Sequence, residues 1–410
     1  MGSRSLNKIP VQVGRRFFIV STVFSLLAGC SGANSPNLAS KSIDRSQDQI
    51  QPTQSPLQQQ AKVKVALLLP LSDSRSSAAN VAKSLKQSGE LALFEFDNPS
   101  VLLITKDTKG TPEGAREAAT AAIQSGAELI IGPLFSKSVT AVSPIARQAN
   151  VPVIAFSSDQ SVAGNGVYLL SFLAGRDVPR IVSYARSQGK SRFAALIPDN
   201  AYGTIVESAF QNAVRKSGGQ ILKIARYPSD PNGMLKPAKS ISALAKKDNV
   251  QIDALLLPGG PETLPSLSPL IPYFEIDTNS VQLLGTGRWD YANIGKESSL
   301  LGGWYPAAHP QGWRDFAQRY SSTYGKPPPR IASLSYDAVS LALSLSSLSK
   351  GQRYSAQQIA RPSGFAGVDG LFRFLADGTS ERGLSIVEVR KFGSKVIDNA
   401  PTSFSNPAQY

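Results

Sequence analysis

Short apolar runs alternate with helix-length stretches along most of this chain, and that alternation constrains the fold more than any other feature. Val63-Lys-Val-Ala-Leu-Leu-Leu69, closed by Pro70, has the look of a strand buried on both faces. A helical pattern follows at 79–94, with Val81, Leu85, Leu91 and Phe94 on related faces, and a second strand at 101–105. Thr111-Pro112-Glu113 then supplies an N-cap, a proline at the first helical position and an early acid, opening an alanine-rich helix that runs to Ser125. Strands at 129–131 and 153–155 flank a helix at 136–149. The pattern restarts with strand 192–197, helix 205–216, strand 220–225, helix 235–247 and strands 254–257 and 281–284. Such alternation predicts parallel sheets with helices on both faces, an α/β class. A folded body of about 340 residues exceeds one comfortable core, so two domains of similar build are expected. Asp369-Gly370 and Asp377-Gly378 bracket 371–375, and 384–389 follows, which predicts an antiparallel hairpin near the end.

Ahead of this body the chain carries an export pattern. Arg4, Lys8, Arg15 and Arg16 precede an apolar run at 17–28, and no acid occurs before Asp44. A run of that length is shorter than the about 20 residues a membrane-spanning helix needs, and it suits a signal peptide over 1–29. Leu27-Ala28-Gly29-Cys30 resembles the lipobox of bacterial lipoproteins. The resemblance implies that the sulfur of Cys30, the sole cysteine, is acylated and anchors the protein to a membrane. Neither Ser31 nor Gly32 is aspartate, which by the same resemblance points to the outer membrane. Arg15-Arg16 before Phe17-Phe18 fits either twin-arginine export or ordinary signal charge. Residues 30–61, rich in Ser, Gln, Asn and Pro, read as a disordered tether. As a coil it would reach about 30 Å.

Charge and rare residues exclude several function classes. The net charge of +14 falls to +10 once the four signal-peptide cations are removed, and the remainder is scattered without an arginine-rich run. An exported basic protein of this kind meets anionic lipid or cell wall rather than nucleic acid. One cysteine leaves no disulfide within the chain, and one histidine argues against a structural zinc site. No Gly-x-Gly-x-x-Gly follows the first strand, and no other cofactor is called for.

Several segments, taken in order, resemble the type I periplasmic binding proteins of the leucine/isoleucine/valine-binding branch. They are Val65-Ala-Leu-Leu-Leu-Pro-Leu71, Ile131-Gly-Pro133, Ser143-Pro-Ile-Ala146 and Val151-Pro-Val-Ile-Ala-Phe-Ser157. Pro198-Asp-Asn-Ala-Tyr-Gly203, Ser335-Tyr-Asp-Ala338 and Gly370-Leu-Phe-Arg-Phe374 continue the match. Within the family the chain is most similar to the lipoproteins called penicillin-binding-protein activators. The resemblance implies two doubly wound lobes joined by three crossings, with a ligand held in the cleft between them. It places lobe one at 62–172 plus 306–350, lobe two at 173–305 plus 351–400, and a tail at 401–410.

Ligands of such folds sit where strand carboxyl ends meet helix amino termini. The candidate cleft residues are therefore Ser72, Gly132, Pro133, Leu134, Ser157, Ser158, Tyr202, Gly259, Gly260, Arg288 and Asp290. The resemblance implies that Ser157-Ser158 holds a ligand's carboxylate and ammonium and that Tyr202 forms an aromatic wall. The residues alone leave other readings open: the serines as a turn cap, Tyr202 as surface, the glycine pair as a plain loop. Amino-acid binders of the family place a glutamate in the last loop, where this chain has Arg288 and Asp290. An arginine facing the cleft would repel an ammonium group.

Two functions follow. The first is a non-catalytic envelope lipoprotein that docks on and regulates a cell-wall synthase. The second is capture of an amino acid or small anion for the permease of an ABC importer. The missing glutamate and the outer-membrane address favour the first. Enzyme chemistry has little to work with, since His309 lies in Ala308-His-Pro310 without a serine elbow or a metal-ligand partner motif.

Overall fold

In the computed structural model, residues 62–96, 100–246 and 248–404 are described. The signal, Cys30 and the tether lie outside them. Among the described residues no helix is long and apolar enough to cross a membrane.

The first lobe is built on β1 (Val63–Leu69), β2 (Val101–Asp107), β3 (Leu129–Ile131), β4 (Val153–Ala155) and β5 (Val167–Leu169), with α1 (Ser76–Glu95), α2 (Pro112–Gln124) and α3 (Ser136–Gln148) between the first four. The sheet order is β2-β1-β3-β4-β5, every pairing parallel. Side chains alternate between the two faces of β1. Val63, Val65, Leu67 and Leu69 pack toward Leu85 of α1, while Ala66 and Leu68 pack toward Ala115 and Ala119 of α2. Both faces are covered, so the strand shows as a continuous apolar run.

The second lobe repeats the plan. It holds α4 (Val178–Ser187), β6 (Arg192–Pro198), α5 (Ala201–Lys216), β7 (Gln220–Tyr227) and α6 (Pro231–Ser242). A two-stranded ribbon, β8 (Ala245–Lys246) with β9 (Asn249–Val250), precedes β10 (Ala254–Leu256). Two single-turn helices, α7 (Leu264–Leu267) and α8 (Leu270–Tyr273), lead to β11 (Gln282–Leu284) and β12 (Trp304–Ala307). The parallel run β7-β6-β10-β11-β12 has the same order as the first sheet, with first and third strands adjacent. That reversal of strand order opens a crevice at the carboxyl ends of the strands.

After β12 the chain returns to the first lobe. α9 (Pro310–Tyr324) and α10 (Ala332–Leu345) pack on α1, with Phe316, Tyr320 and Ala332 around Leu91. α11 (Ala356–Ile359) and the hairpin β13 (Phe372–Phe374) with β14 (Ser380–Arg382) follow. Tyr354, Ile359, Phe365, Phe372 and Phe374 join the core of the first sheet, and the Phe374 ring lies 5.4 Å from that of Tyr168. The expected assignment of 351–400 to the second lobe is thus corrected: 354–382 packs on the first. Only β15 (Ser385–Arg390) and β16 (Gly393–Asp398) extend the second sheet, antiparallel beyond β12. β12 itself, Trp304–Ala307, lies in that sheet, so the second crossing falls after Ala307 rather than before Pro306. The hairpin expected from 371–375 and 384–389 forms instead between Phe372–Phe374 and Ser380–Arg382, closed by the Asp377-Gly378 turn.

Three crossings join the lobes: between β5 and α4, between β12 and α9, and between β14 and β15. Two arginines, one on the first crossing and one in α4, hold the segments around the third. Arg176 donates to Asp377 at 3.0 Å, and Arg180 donates to the Leu384 carbonyl at 2.9 Å and pairs with Asp398.

Helix starts follow from capping. Thr111, Asn200 and Asp230 each accept a hydrogen bond from the backbone N–H of a glycine three residues on, at 3.0, 2.9 and 2.8 Å. Asn200 therefore starts α5 at Ala201, four residues before the expected start, and Asp230 starts α6 at Pro231 instead of 235. Gly203 is required for close approach: a Cβ there would lie 1.8 Å from the Pro198 carbonyl oxygen.

Candidate functional site

A cleft of about 610 Å³ lies at the crossings, with walls from both lobes. The first crossing supplies Phe172, Leu173, Ala174, Arg176 and Asp177, the second supplies Ala308, and Ala307 at the end of β12 adjoins it. Leu384 comes from the third, and Ser380 and Arg382 from β14 just before it. The second lobe adds the amino end of α5, with Ala201, Tyr202 and Ile205, and the loop bearing Gly287, Arg288 and Asp290. The first lobe adds Ser158, Ser171, Arg330 and Asp369.

Of the residues expected from sequence, Ser158, Tyr202, Arg288 and Asp290 line this cleft; the other seven do not. The Ser72 hydroxyl donates to Asp107 at 2.5 Å, tying the end of β1 to that of β2. Gly132-Pro133 is a cis peptide with Gly132 at φ 89°, where a Cβ would lie 2.2 Å from the Leu68 carbonyl oxygen. The Pro133 carbonyl accepts from the Phe156 N–H, and Leu134 packs on the first core. The buried Ser157 hydroxyl accepts from the Asp159 N–H at 3.1 Å, so it caps the next turn. Gly259 and Gly260 make room for side chains behind the cleft wall: a Cβ on Gly260 would lie 2.8 Å from the Arg288 guanidinium.

Tyr202 and Arg288 form one unit. The Tyr202 hydroxyl reaches the Pro258 carbonyl at 3.1 Å and Thr286 Oγ1 at 2.9 Å. Burial, with the nearby Asp177 charge, pushes that hydroxyl well above its ordinary range, so it stays protonated. The Arg288 guanidinium lies 4.8 Å from the Tyr202 ring centroid and pairs with Glu262 at 2.5 Å. Its charge is therefore balanced outside the cleft, and the repulsion of an ammonium group expected from sequence is removed. Both partners are substantially exposed, so Arg288→Ala is expected to change stability by less than about 1 kcal/mol in thermal unfolding. A loss several times larger would mean that the pair anchors the loop.

The acids and bases missed from sequence sit on the crossings and beneath α10. Asp177 accepts the Gly287 N–H at 2.6 Å, joining the first crossing to the Arg288 loop. Burial raises the Asp177 carboxyl, against the pull of its backbone hydrogen bonds. Desolvation in the cleft also raises that of Asp290, an effect Arg330 opposes and Asp369 reinforces. Arg330 pairs with buried Asp369, which also accepts from the Ser333 hydroxyl at 2.6 Å. Buried Asp337 accepts the Val368 N–H at 2.7 Å. Its other oxygen lies 3.6 Å from Arg382, and its carboxyl is pushed up to about 7, chiefly by burial. His309 is the N-cap of α9, its Nδ1 accepting from the Gln311 N–H.

Two sheets of like order, three crossings and one cleft among them define a bilobal binding protein of type I topology. A family model for periplasmic binding proteins matches residues 62–394. The chain belongs to the periplasmic binding protein family, whose members are exported to the periplasm. An uncharacterised protein of Rickettsia prowazekii is 21% identical over 57% of this chain and 62% of its own length. A Leu/Ile/Val-binding protein homologue of Brucella melitensis is 24% identical over 40% of this chain and 42% of its own. The chain thus spans less than two thirds of the length of either relative. Among solved structures, a branched-chain amino acid ABC transporter periplasmic ligand-binding protein from Burkholderia xenovorans superposes with a TM-score of 0.63 at 17% identity. That match covers 83% of this chain and 96% of the other, and it shows the shared fold.

Proposed function

We propose that this protein captures a small solute in its inter-lobe cleft, closes on it by hinge motion at the three crossings, and presents it to the permease of an ABC importer. The observation that carries this reading is a cleft of about 610 Å³ walled by both lobes and by every crossing, so that lobe closure and cleft occupancy are mechanically one event. The Burkholderia structure, a periplasmic ligand-binding protein of an ABC transporter, and the Leu/Ile/Val-binding protein homologue of Brucella agree with it. The role is non-catalytic: the cleft binds and releases.

This reverses the order in which the sequence alone placed the two readings. The objections from sequence were the outer-membrane address and a last loop with Arg288 where relatives carry a glutamate; Glu262 balances the charge of Arg288. No described feature favours docking on a cell-wall synthase over solute capture. The residues proposed to meet the solute are Ser158, Tyr202, Asp177 and Asp290, with the apolar walls Phe172 and Ile205.

A lipid anchor at Cys30 belongs to the same proposal, and it bears on the membrane address. A permease lies in the inner membrane, and a 30-residue tether spans at most roughly 100 Å when fully extended. Solute delivery therefore places the anchor at the inner membrane, against the address suggested by Ser31 and Gly32.

The test is a melting-temperature screen of the full-length protein against amino acids and small organic acids, followed by small-angle scattering with any hit. A solute at 100 times its dissociation constant should stabilise the protein by about 2.7 kcal/mol, a shift of several degrees, and reduce the radius of gyration. A panel that moves neither quantity, together with recovery of the protein in the outer-membrane fraction, would favour the synthase-regulator reading.

A further inference from the structure

We propose that Arg382 and Ser380, on β14 at the edge of the third crossing, form an anion subsite in the floor of the cleft that seats a carboxylate of the captured solute. The proposal rests on the solute-binding reading and names the chemical class of ligand it takes. Arg382 and Ser380 are two residues apart on β14, so their side chains share one face of the strand, and both line the cleft. The Arg382 side chain is only 8% exposed, yet none of its three guanidinium nitrogens has a hydrogen-bond partner among the described residues. The Ser380 hydroxyl, 3% exposed, is also without one. Buried donors are almost always satisfied, and a guanidinium left with every N–H unused beside a cavity points to an absent acceptor.

The surroundings select the acceptor. The nearest acid, Asp337, is 3.6 Å from Arg382, close enough to balance part of its charge but too far to take its hydrogens. Arg330 is already paired with Asp369. The Phe172 ring is near both guanidinium groups, 5.3 Å from Arg382 and 5.6 Å from Arg330. A planar oxyanion can take two parallel N–H bonds from Arg382 and a third from Ser380. Phe172, Leu173, Ala307 and Leu384 offer apolar contact to the rest of the molecule. The ligand class is a small monocarboxylate with an apolar body. Its carboxylate sits on β14, beside the third crossing, rather than on the Ser157-Ser158 loop.

The experiment compares acids with their neutral amides by calorimetry on the full-length protein: benzoate against benzamide, and L-leucine against L-leucinamide. At least one acid should bind about 30-fold or more tighter than its amide. Arg382→Gln should weaken that acid by about 30- to 1,000-fold and leave the amide nearly unchanged. Ser380→Ala should weaken it by about 5-fold. Equal binding of acid and amide overturns the subsite while leaving solute capture intact. So does retained acid binding in a folded Arg382→Gln protein. Should Arg382→Gln not fold, unchanged acid binding in Ser380→Ala overturns it instead. Failure of acids and amides alike, with no hit in the wider screen, removes solute capture and the subsite together.

Discussion

Trp289→Ala will lower the stability of the protein by about 3–5 kcal/mol, a fall in melting temperature of about 10 °C, and will weaken solute binding as well. The indole is fully buried and donates from Nε1 to the Leu257 carbonyl at 2.8 Å. It stacks obliquely on Tyr305, and two glycines are shaped around it: a Cβ on Gly285 or Gly303 would lie 2.2 or 2.7 Å from the ring. Truncation leaves a cavity that rigid strand ends cannot close, and it strips the Leu257 carbonyl of its donor. The binding loss has a separate cause. Arg288 and Asp290 flank Trp289 on a single 3-10 turn, so the buried ring is the root from which both project into the cleft. Calorimetric unfolding and solute affinity measured on the same variant check the two effects. A melting temperature within about 2 °C of the parent would mean that the loop is held by Thr286 and Asp177 rather than by the indole.

Trp289 also marks the limit of what the sequence carried. The Arg288 loop was legible as a site because it follows a strand in an α/β chain, where ligands gather. That its middle residue is core was not, because one tryptophan in a glycine-rich loop has no periodicity to reveal its direction. The sheets were legible for the opposite reason. β1, β3, β6 and β10 are covered on both faces, which forces unbroken apolar runs. Helix starts were misplaced where a cap rather than an apolar stripe sets them, as at Asn200 and Asp230.

The lobe assignment of 354–382 depends on Phe372 and Phe374 meeting a core built some two hundred residues earlier, a contact with no local signature. The floor of the cleft was hidden for the same reason. Arg330, Asp337, Asp369 and Arg382 come from a loop, a helix, a turn and a strand, and only the return of the chain to the first lobe assembles them. The convergence of strand ends and helix amino termini pointed to the loops at strand ends. There, hydrogen bonds to Asp107 and Asp159 already occupy Ser72 and Ser157.

Carboxylate binding will strengthen as pH falls from 8 to 6, by several-fold to about tenfold, while amide binding stays level. The sign follows from Asp337. Burial raises its carboxyl to about 7; Arg382 and the Val368 N–H oppose that rise, and Asp369 adds to it. Above pH 7 Asp337 is ionised, and its negative charge 3.6 Å away offsets that of Arg382 and repels an incoming carboxylate. Below it the group is protonated, and the full guanidinium charge acts on the solute. A carboxylate arriving beside Arg382 raises the Asp337 carboxyl further by like-charge repulsion, so binding takes up a proton and tightens in acid. Benzoate and leucine keep their carboxylates ionised throughout this range, so the change belongs to the protein. Asp177 and Asp290 also face the cleft with raised carboxyls and push in the same direction, which makes a second variant necessary. Asp337→Asn removes the opposing charge at every pH. It should bind the acid at pH 8 as tightly as the parent does at pH 6, with a nearly flat profile between. Circular dichroism at both pH values controls for unfolding. A parent with equal affinity at pH 6 and 8, or an Asp337→Asn protein that keeps the parent's slope, would show that the Asp337 charge does not act on a solute held at Arg382.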